Sequence, residues 1–315
     1  MHIRFCLVLL AAVLSASAGE FAAAAFVYST IDNPLAGAGG TVPYDLDGNR
    51  IVGTYFDKAG TSHAFVYDGV TWTPLDHPNA AAPRGTAAYG VSDGVLCGSF
   101  VDSTGRTFGY TYDGTTWTTL AHPPLATGPV DTFARGIDGD TVVGYFIESQ
   151  VARGFVYRNG TFTDLIIPPA VGTFPNDVNA GRIVGTIEDV LGSHAFLKDG
   201  ALVIPIDHPL GAILGTFGNG IDGERVVGNY LDLLDGASHG FLYEDGTFTP
   251  IDYPGATDTI VNGINGDRVV GSYVDAAGVT HGFLATVPEP AAGAAMVASA
   301  GLLTLRRARR TTRPE

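Results

Sequence analysis

Cysteine is nearly absent from this chain. Of 315 residues two are cysteine. Cys6 falls in an apolar N-terminal stretch, so a processed chain keeps only Cys97 and can form no intrachain disulfide, even in a compartment that permits one. Cys97 sits in Val95-Leu96-Cys97-Gly98, where sister segments carry valine, which predicts a small buried hydrophobe. Basic residues are also few. Residues 20–290 keep 11 of the 17 Lys and Arg but 31 of the 32 Asp and Glu, a formal charge of 11 − 31 = −20. That balance argues against nucleic-acid binding and against docking on anionic lipid. It favours solubility and cations, calcium being the ion such a surface would admit. No cofactor site is expected. There is no helical period, which argues against a helical solenoid, and no nucleophile elbow, His-Glu-x-x-His helix or phosphate loop.

A tandem repeat is present instead. Six times a threonine is followed twelve residues later by a glycine that ends a short apolar run: Thr41/Gly53, Thr86/Gly98, Thr132/Gly144, Thr173/Gly185, Thr216/Gly228 and Thr259/Gly271. Each unit alternates with period two, as strands do. Asp-Gly and Asn-Gly recur between the strands, at Asp68-Gly69, Asp113-Gly114 and Asn159-Gly160 in one turn and at Asp47-Gly48, Asp93-Gly94, Asp138-Gly139 and Asp222-Gly223 in another, as two-residue hairpins require. The anchor aromatics Phe65, Tyr110, Phe155, Phe196, Phe241 and Phe283 are spaced by 45, 45, 41, 45 and 42 residues. That is the length of one four-stranded propeller blade.

The phase of the repeat predicts how the ring closes. Three links per unit are tight. Only the one after Asp-His-Pro or Asp-Tyr-Pro is long, so a blade starts at the threonine strand and ends at the proline strand, where proline stops pairing. The chain begins with a spare proline strand, Phe26 to Pro34, and ends with a third strand, His281 to Ala285. The expectation is an all-β, six-bladed β-propeller of four-stranded blades, ring closed by the N-terminal strand, which removes two exposed sheet edges. An open β-array is the alternative.

Several residues invite a chemical reading. Asp57, Asp102, Glu148, Asp189, Asp232 and Asp275 each lie four residues after the repeat glycine. His63, His194, His239 and His281 follow across the next hairpin. An Asp–His pair can be a general base with its orienting carboxylate, but this one recurs in four blades and becomes Glu148 with Arg153 in another. That exchange suits a cross-strand ion pair pinning the hairpin, so no catalytic residue is assigned. Asp45-Leu46-Asp47-Gly48-Asn49 resembles the start of a calcium loop, but an apolar strand follows it, and it reads as a hairpin turn; no metal ligand is assigned.

Variation between units is the better guide to binding. Three residues after each repeat threonine stand Tyr44, Tyr89, Arg135, Asn176, Asn219 and Asn262. On innermost strands these would form an asymmetric ring of hydrogen-bonding groups in the channel, suited to sugar hydroxyls and carboxylates. A wet channel wall with no ligand is the plain alternative. Replacing Arg135 and Asn219 by alanine is expected to abolish binding and leave the fold intact.

The ends carry addresses. Arg4, the apolar Phe5 to Leu14 and Ala16-Ser17-Ala18 read as a secretory signal over residues 1–18. At residues 287–315, Val287-Pro288-Glu289-Pro290 precedes an apolar run, Ala291 to Leu305, of 15 residues, short of the roughly 20 that span a bilayer. Arg306, Arg307, Arg309 and Arg310 follow. This ending resembles the PEP-CTERM sorting signal of exopolysaccharide-producing Gram-negative bacteria. The resemblance implies exosortase as a partner during sorting, transient residence in the inner membrane through the tail alone, and delivery to the cell surface or extracellular matrix. Within the expected propeller domain, residues 26–286, the units over residues 26–285, with His63-Ala64-Phe65 and His194-Ala195-Phe196, look like the HAF-type extracellular repeat, a family defined by its pattern and not by an activity. The expected function is a non-catalytic surface or matrix propeller whose partner is extracellular polysaccharide. A polysaccharide lyase or hydrolase on the same scaffold, and a structural spacer without ligand, are the alternatives.

Overall fold

The structure is a computed structural model that describes residues 26–125, 128, 130–211 and 214–287. The proposed signal at 1–18 and the Pro288–Pro290 part of the sorting motif lie outside the described residues. Six four-stranded antiparallel sheets follow one another along the chain. Blades one to five occupy residues 41–75, 86–120, 131–165, 172–205 and 216–251, each with its strands in sequence order. The sixth holds residues 258–286 and takes its outermost strand, Val27–Thr30, from the other end of the chain. Val27 pairs with Thr286 and Thr30 with Phe283. Innermost strands of successive blades pack side by side, and the first packs on the sixth. The molecule is therefore a closed six-bladed β-propeller, as the phase of the repeat predicts.

The recurring residues have separable jobs. Each repeat glycine lies beneath its anchor aromatic. Gly53 is in register with Phe65. A Cβ there would sit 2.3 Å from the Val42 carbonyl oxygen and 2.7 Å from the Phe65 ring. Only glycine lets the ring lie flat on the sheet, so the two positions are fixed together. In blade two the ring is Tyr110, whose hydroxyl reaches past Gly98 to donate to the Ala87 carbonyl at 3.0 Å. The anchor aromatics are all buried, and each blade's core fills the space against its neighbour.

The repeat threonine ties blades together. Its buried hydroxyl oxygen accepts the amide of the residue that ends the preceding blade: Asn33 to Thr41, His77 to Thr86, His122 to Thr132, His208 to Thr216 and Tyr253 to Thr259, at 2.9–3.0 Å. Of the histidines at this position His77 and His122 are buried and His208 is half-buried. His77, His122 and His208 stack on Phe100, Phe146 and Tyr230 at 3.6–3.7 Å, and Tyr253 stacks the same way on Tyr273. Burial pushes the His77 and His208 imidazoles below their usual pKa, so they pack as neutral rings.

All six inner turns start seven residues after the repeat threonine, so the Asp-Gly pairs fall in two phases, with Asp47, Asp138 and Asp222 ending their strands and only Asp93 inside the turn. Asp93-Gly94 is a turn with both residues at positive φ. In blade one the turn residues are Gly48 and Asn49, and Asp47 is the last strand residue, paired with Arg50. The calcium-loop resemblance is thus a hairpin, as expected, but Asp47 contributes a carboxylate and not a turn conformation. Cys97 is buried and free, and burial pushes its thiol up. Val287 packs on the sixth blade, where its amide donates to the Asp267 main-chain carbonyl.

Candidate functional site

A single irregularity positions all six variable residues. Every innermost strand breaks register at one place: Pro43/Asp45, Ala88/Gly90, Ala134/Gly136, Pro175/Asp177, Gly218/Gly220 and Val261/Gly263. The residues skipped are Tyr44, Tyr89, Arg135, Asn176, Asn219 and Asn262. A bulged residue has no cross-strand partner and its side chain is re-aimed.

The two halves of this ring behave differently. Asn176 Nδ2 donates to the Gly218 carbonyl at 2.8 Å, Asn219 Nδ2 to Val261 at 2.9 Å and Asn262 Nδ2 to Pro43 at 2.8 Å. Each acceptor is the residue just before the next blade's bulge, so the three amides link blades four, five, six and one. Asn219 also donates to Asn229 Oδ1 at 3.0 Å. On the other half, Tyr44 and Tyr89 meet edge to face at 4.9 Å. The Arg135 guanidinium lies 4.1 Å from the Tyr89 ring centroid and 5.6 Å from that of Tyr44, a cation–π arrangement. Burial pushes the Tyr44 and Tyr145 phenols above their usual pKa, which keeps them neutral. The structure thus brings the six residues into one ring, and three of them are engaged in holding it. Replacing Asn219 therefore costs stability, and it cannot serve as the silent ligand probe that sequence alone suggests.

On the crossover face this ring opens into a cavity of about 450 Å³ between blades one and two. Its walls are aromatic and hydroxylic: Tyr44, Tyr89, Phe56 and Phe133 with Thr54, Ser62, Ser99 and Thr107. Arg84 stands at its edge, and among the described residues no carboxylate lines it. Thr54 is buried and its hydroxyl has no partner among the described residues. Sequence reasoning missed Thr54 and Arg84, because adjacency of two blades gives no local signal.

The opposite, turn face carries a cavity of about 200 Å³ on the ring axis, lined from all six blades. Asp45 and Asp177, three blades apart, face it. Burial pushes the Asp45 carboxyl up to about 7 against the Val91 and Leu46 amides, and burial with the nearby Asp45 charge raises Asp177. Both Asp45 oxygens accept main-chain amides, from Leu46 and Val91 at 2.8 Å. Asp177 accepts from Val178 and Ile221. Around the rim a six-membered set of side-chain acceptors closes: Asp47, Ser92, Asp138, Asn179, Asp222 and Asn265 take the turn amides of the following blades at 2.7–3.3 Å. All six stand six residues after the repeat threonine, and that restriction to acceptors is the signal that could have revealed them. Arg50, Arg182 and Arg268 reinforce three junctions by donating to Gly94, Gly223 and Gly48 carbonyls.

The edge histidines lie between two carboxylates each. His63 meets Asp57 at 3.6 Å and Asp76 at 2.9 Å; His194 meets Asp189 at 3.5 Å and Asp207 at 3.2 Å; His281 meets Asp275 at 3.5 Å and Asp32 at 2.7 Å. Each joins a hairpin to the end of the outermost strand, a structural role in keeping with the recurrence. The second aspartate was missed, although it stands 13 residues from the histidine in three blades. In blade five the hairpin acid is Asp235, at 3.1 Å, in place of the expected Asp232, because the longer loop carries a second aspartate closer to the ring. Asp232, Asp235 and His239 could bring three metal-ligating atoms together. In blade three, Glu148 accepts the Leu125 amide.

Ring closure, blade count and the bulged inner strands define the class: a six-bladed propeller with an asymmetric channel. No family model matches the sequence, and no curated protein matches it. Among solved structures the chain is similar to a mutant AofleA from Arthrobotrys oligospora, with 12% identity, 82% of each chain covered and a TM-score of 0.48. It is also similar to Aleuria aurantia lectin in complex with alpha-methyl-L-fucoside, with 11% identity over 80% of this chain and 96% of that one, TM-score 0.47. A third likeness is the β-propeller domain of the Trilobed protease from Pyrococcus furiosus, 10% identical over 78% and 94%, TM-score 0.44. Likenesses this distant say nothing of what this chain binds.

Proposed function

We propose that the protein is an exported, non-catalytic propeller of the cell surface or extracellular matrix that binds extracellular polysaccharide. The cavity between blades one and two carries the binding half of this reading. It pairs aromatic faces, suited to the apolar faces of a sugar ring, with several hydroxyls and an arginine at its edge, and the buried Thr54 hydroxyl has no internal partner. The export half rests on the N-terminal signal and on the tail beginning Val287-Pro288-Glu289-Pro290, read by an exosortase of a Gram-negative bacterium.

The test mixes the processed protein with the producing organism's own polysaccharide and follows both by size-exclusion chromatography with light scattering. Co-elution at unchanged polymer mass is the expected result. No association of folded protein would leave the structural spacer. Hydrolysis or elimination is the second reading, favoured by the raised Asp45 and Asp177 carboxyls on the axis. Those carboxylates are already committed to four main-chain amides, and falling polymer mass would be needed to establish the activity.

A further inference from the structure

A second cavity, of about 240 Å³, opens beside blade four, with Arg135, Tyr145, Phe174, Asn176, Thr186 and Glu188 among its walls. Two independent observations mark it as a ligand site. Thr186 is 5% exposed and its hydroxyl has no hydrogen-bond partner among the described residues. A buried hydroxyl left unpaired is unfavourable in the free protein and becomes an asset when a ligand supplies the missing bond. Arg135 is the second. Among the described residues no carboxylate pairs with its guanidinium, which rests on the Tyr89 and Tyr44 faces. Residues 20–290 hold 31 acidic and 11 basic residues, so a channel cation without an acidic partner stands out. The wall beside it is fixed, because the Asn176 amide is held by the Gly218 carbonyl.

We propose that this cavity binds a uronic acid residue of a polysaccharide, with the sugar carboxylate on Arg135. The planar guanidinium suits a carboxylate because it donates two parallel hydrogen bonds. Thr186 and the exposed Glu188 at the rim take sugar hydroxyls, and Tyr145 and Phe174 provide the apolar wall. The inference rests on the polysaccharide-binding reading above and adds the charge of the ligand.

The experiment uses the processed protein and three acidic polymers, polygalacturonate, alginate and hyaluronate, each beside its carboxyl-reduced neutral form. Affinity is measured by titration calorimetry at low and moderate salt. At moderate salt, which screens the repulsion between a polyanion and the protein's own net negative charge, at least one acidic polymer should bind tenfold or more tightly than its reduced form. Arg135→Gln should remove that preference. Because that variant can disturb the ring, Thr186→Val provides the independent arm. It removes a hydroxyl that nothing in the free protein uses, so it should weaken binding several-fold with melting temperature unchanged or higher. Equal affinity for acidic and reduced polymers overturns the uronate assignment and leaves polysaccharide binding standing. Failure to bind every polymer, together with failure to co-elute with the organism's own, overturns both. A Thr186→Val protein that melts lower and binds normally shows the hydroxyl to be structural and overturns the site.

Discussion

The same innermost strands build both ends of the central channel, and the two ends differ. At the turn face one position is an acceptor in all six blades, Asp47, Ser92, Asp138, Asn179, Asp222 and Asn265, and each takes the next blade's amide. Three residues earlier the bulge position holds two tyrosines, one arginine and three asparagines. A position whose task is closure admits only side chains that can perform it. A position free of that task in some blades can diverge, and it diverges toward the two crossover-face cavities. Repetition in this chain marks construction, and departure from repetition marks where a ligand can be selected.

The waist between the two rings offers the severest way to break the comparison. A Cβ on Gly136 would lie 2.5 Å from the Asp177 Cα. Gly136→Ala must part blades three and four and open both rings, at a cost of about 1–3 kcal/mol or more. Chemical denaturation should show it, and a wild-type midpoint would mean that the blades slide past each other easily.

Within the bulge ring, the asparagine half should behave as structure. Asn219→Ala leaves the Val261 carbonyl and Asn229 without their donor and is expected to destabilise by about 1–3 kcal/mol. Tyr89→Ala is expected to weaken polysaccharide binding at least tenfold in the co-elution assay. Should Asn219→Ala melt normally while Tyr89→Ala unfolds, the assignment of halves is reversed.

The turn-face ring predicts uniformity. Removing one acceptor, as in Asp138→Ala, strands a partly solvated amide and should cost about 0.5–1.5 kcal/mol. Alanine at Asp47 and Asn179 should cost similar amounts in the same melts, whereas Asp222 also pairs with Arg225 at 2.6 Å and is no fair comparison. One dominant site among equals would contradict a ring built from equivalent links.

Acidity gives the gentlest probe. A hydrogen bond to Asp32 holds His281 above its usual pKa. A raised histidine contributes fully below its unfolded value of about 6.5 and loses that contribution as pH rises through the folded value. Burial raises Asp45 to about 7 and also raises Asp177. For these acids the protonated form favours folding, so stability falls as pH climbs from about 4 through the folded values. Asp57 and Asp275 have the opposite sign, because amide hydrogen bonds from Thr61 and Val279 lower them; their contribution fades only as pH falls below the usual carboxylate range. The melting temperature should therefore be higher at pH 5 than at pH 8. His281→Gln should reduce the part of that slope due to the closing strand, and a flat profile in the wild type would remove these groups from the account.

Much of the architecture could be read along the chain. The Thr41/Gly53 spacing and its repeats gave the blade count, and the long link after each proline gave the phase. The spare Phe26 to Pro34 segment was therefore expected to complete the sixth blade, and its Val27–Thr30 strand does so. These are consequences of local order: alternation, turn residues and spacing act over a few residues, and any chain with them must build four-stranded sheets of this length. The six variable positions were legible for the same reason, as departures from a known register.

Only the tertiary structure decided what those positions do. The bulge turns Asn176, Asn219 and Asn262 toward carbonyls 42, 42 and 219 residues away. It leaves Arg135 among tyrosines from two other blades, while on the neighbouring strands the packing of the blades buries the Thr54 and Thr186 hydroxyls without a partner among the described residues. A sequence fixes which groups are available. Whether a given group is spent on a neighbouring blade or left for a ligand depends on side-chain direction and blade-to-blade distance, and those are set only when the ring closes.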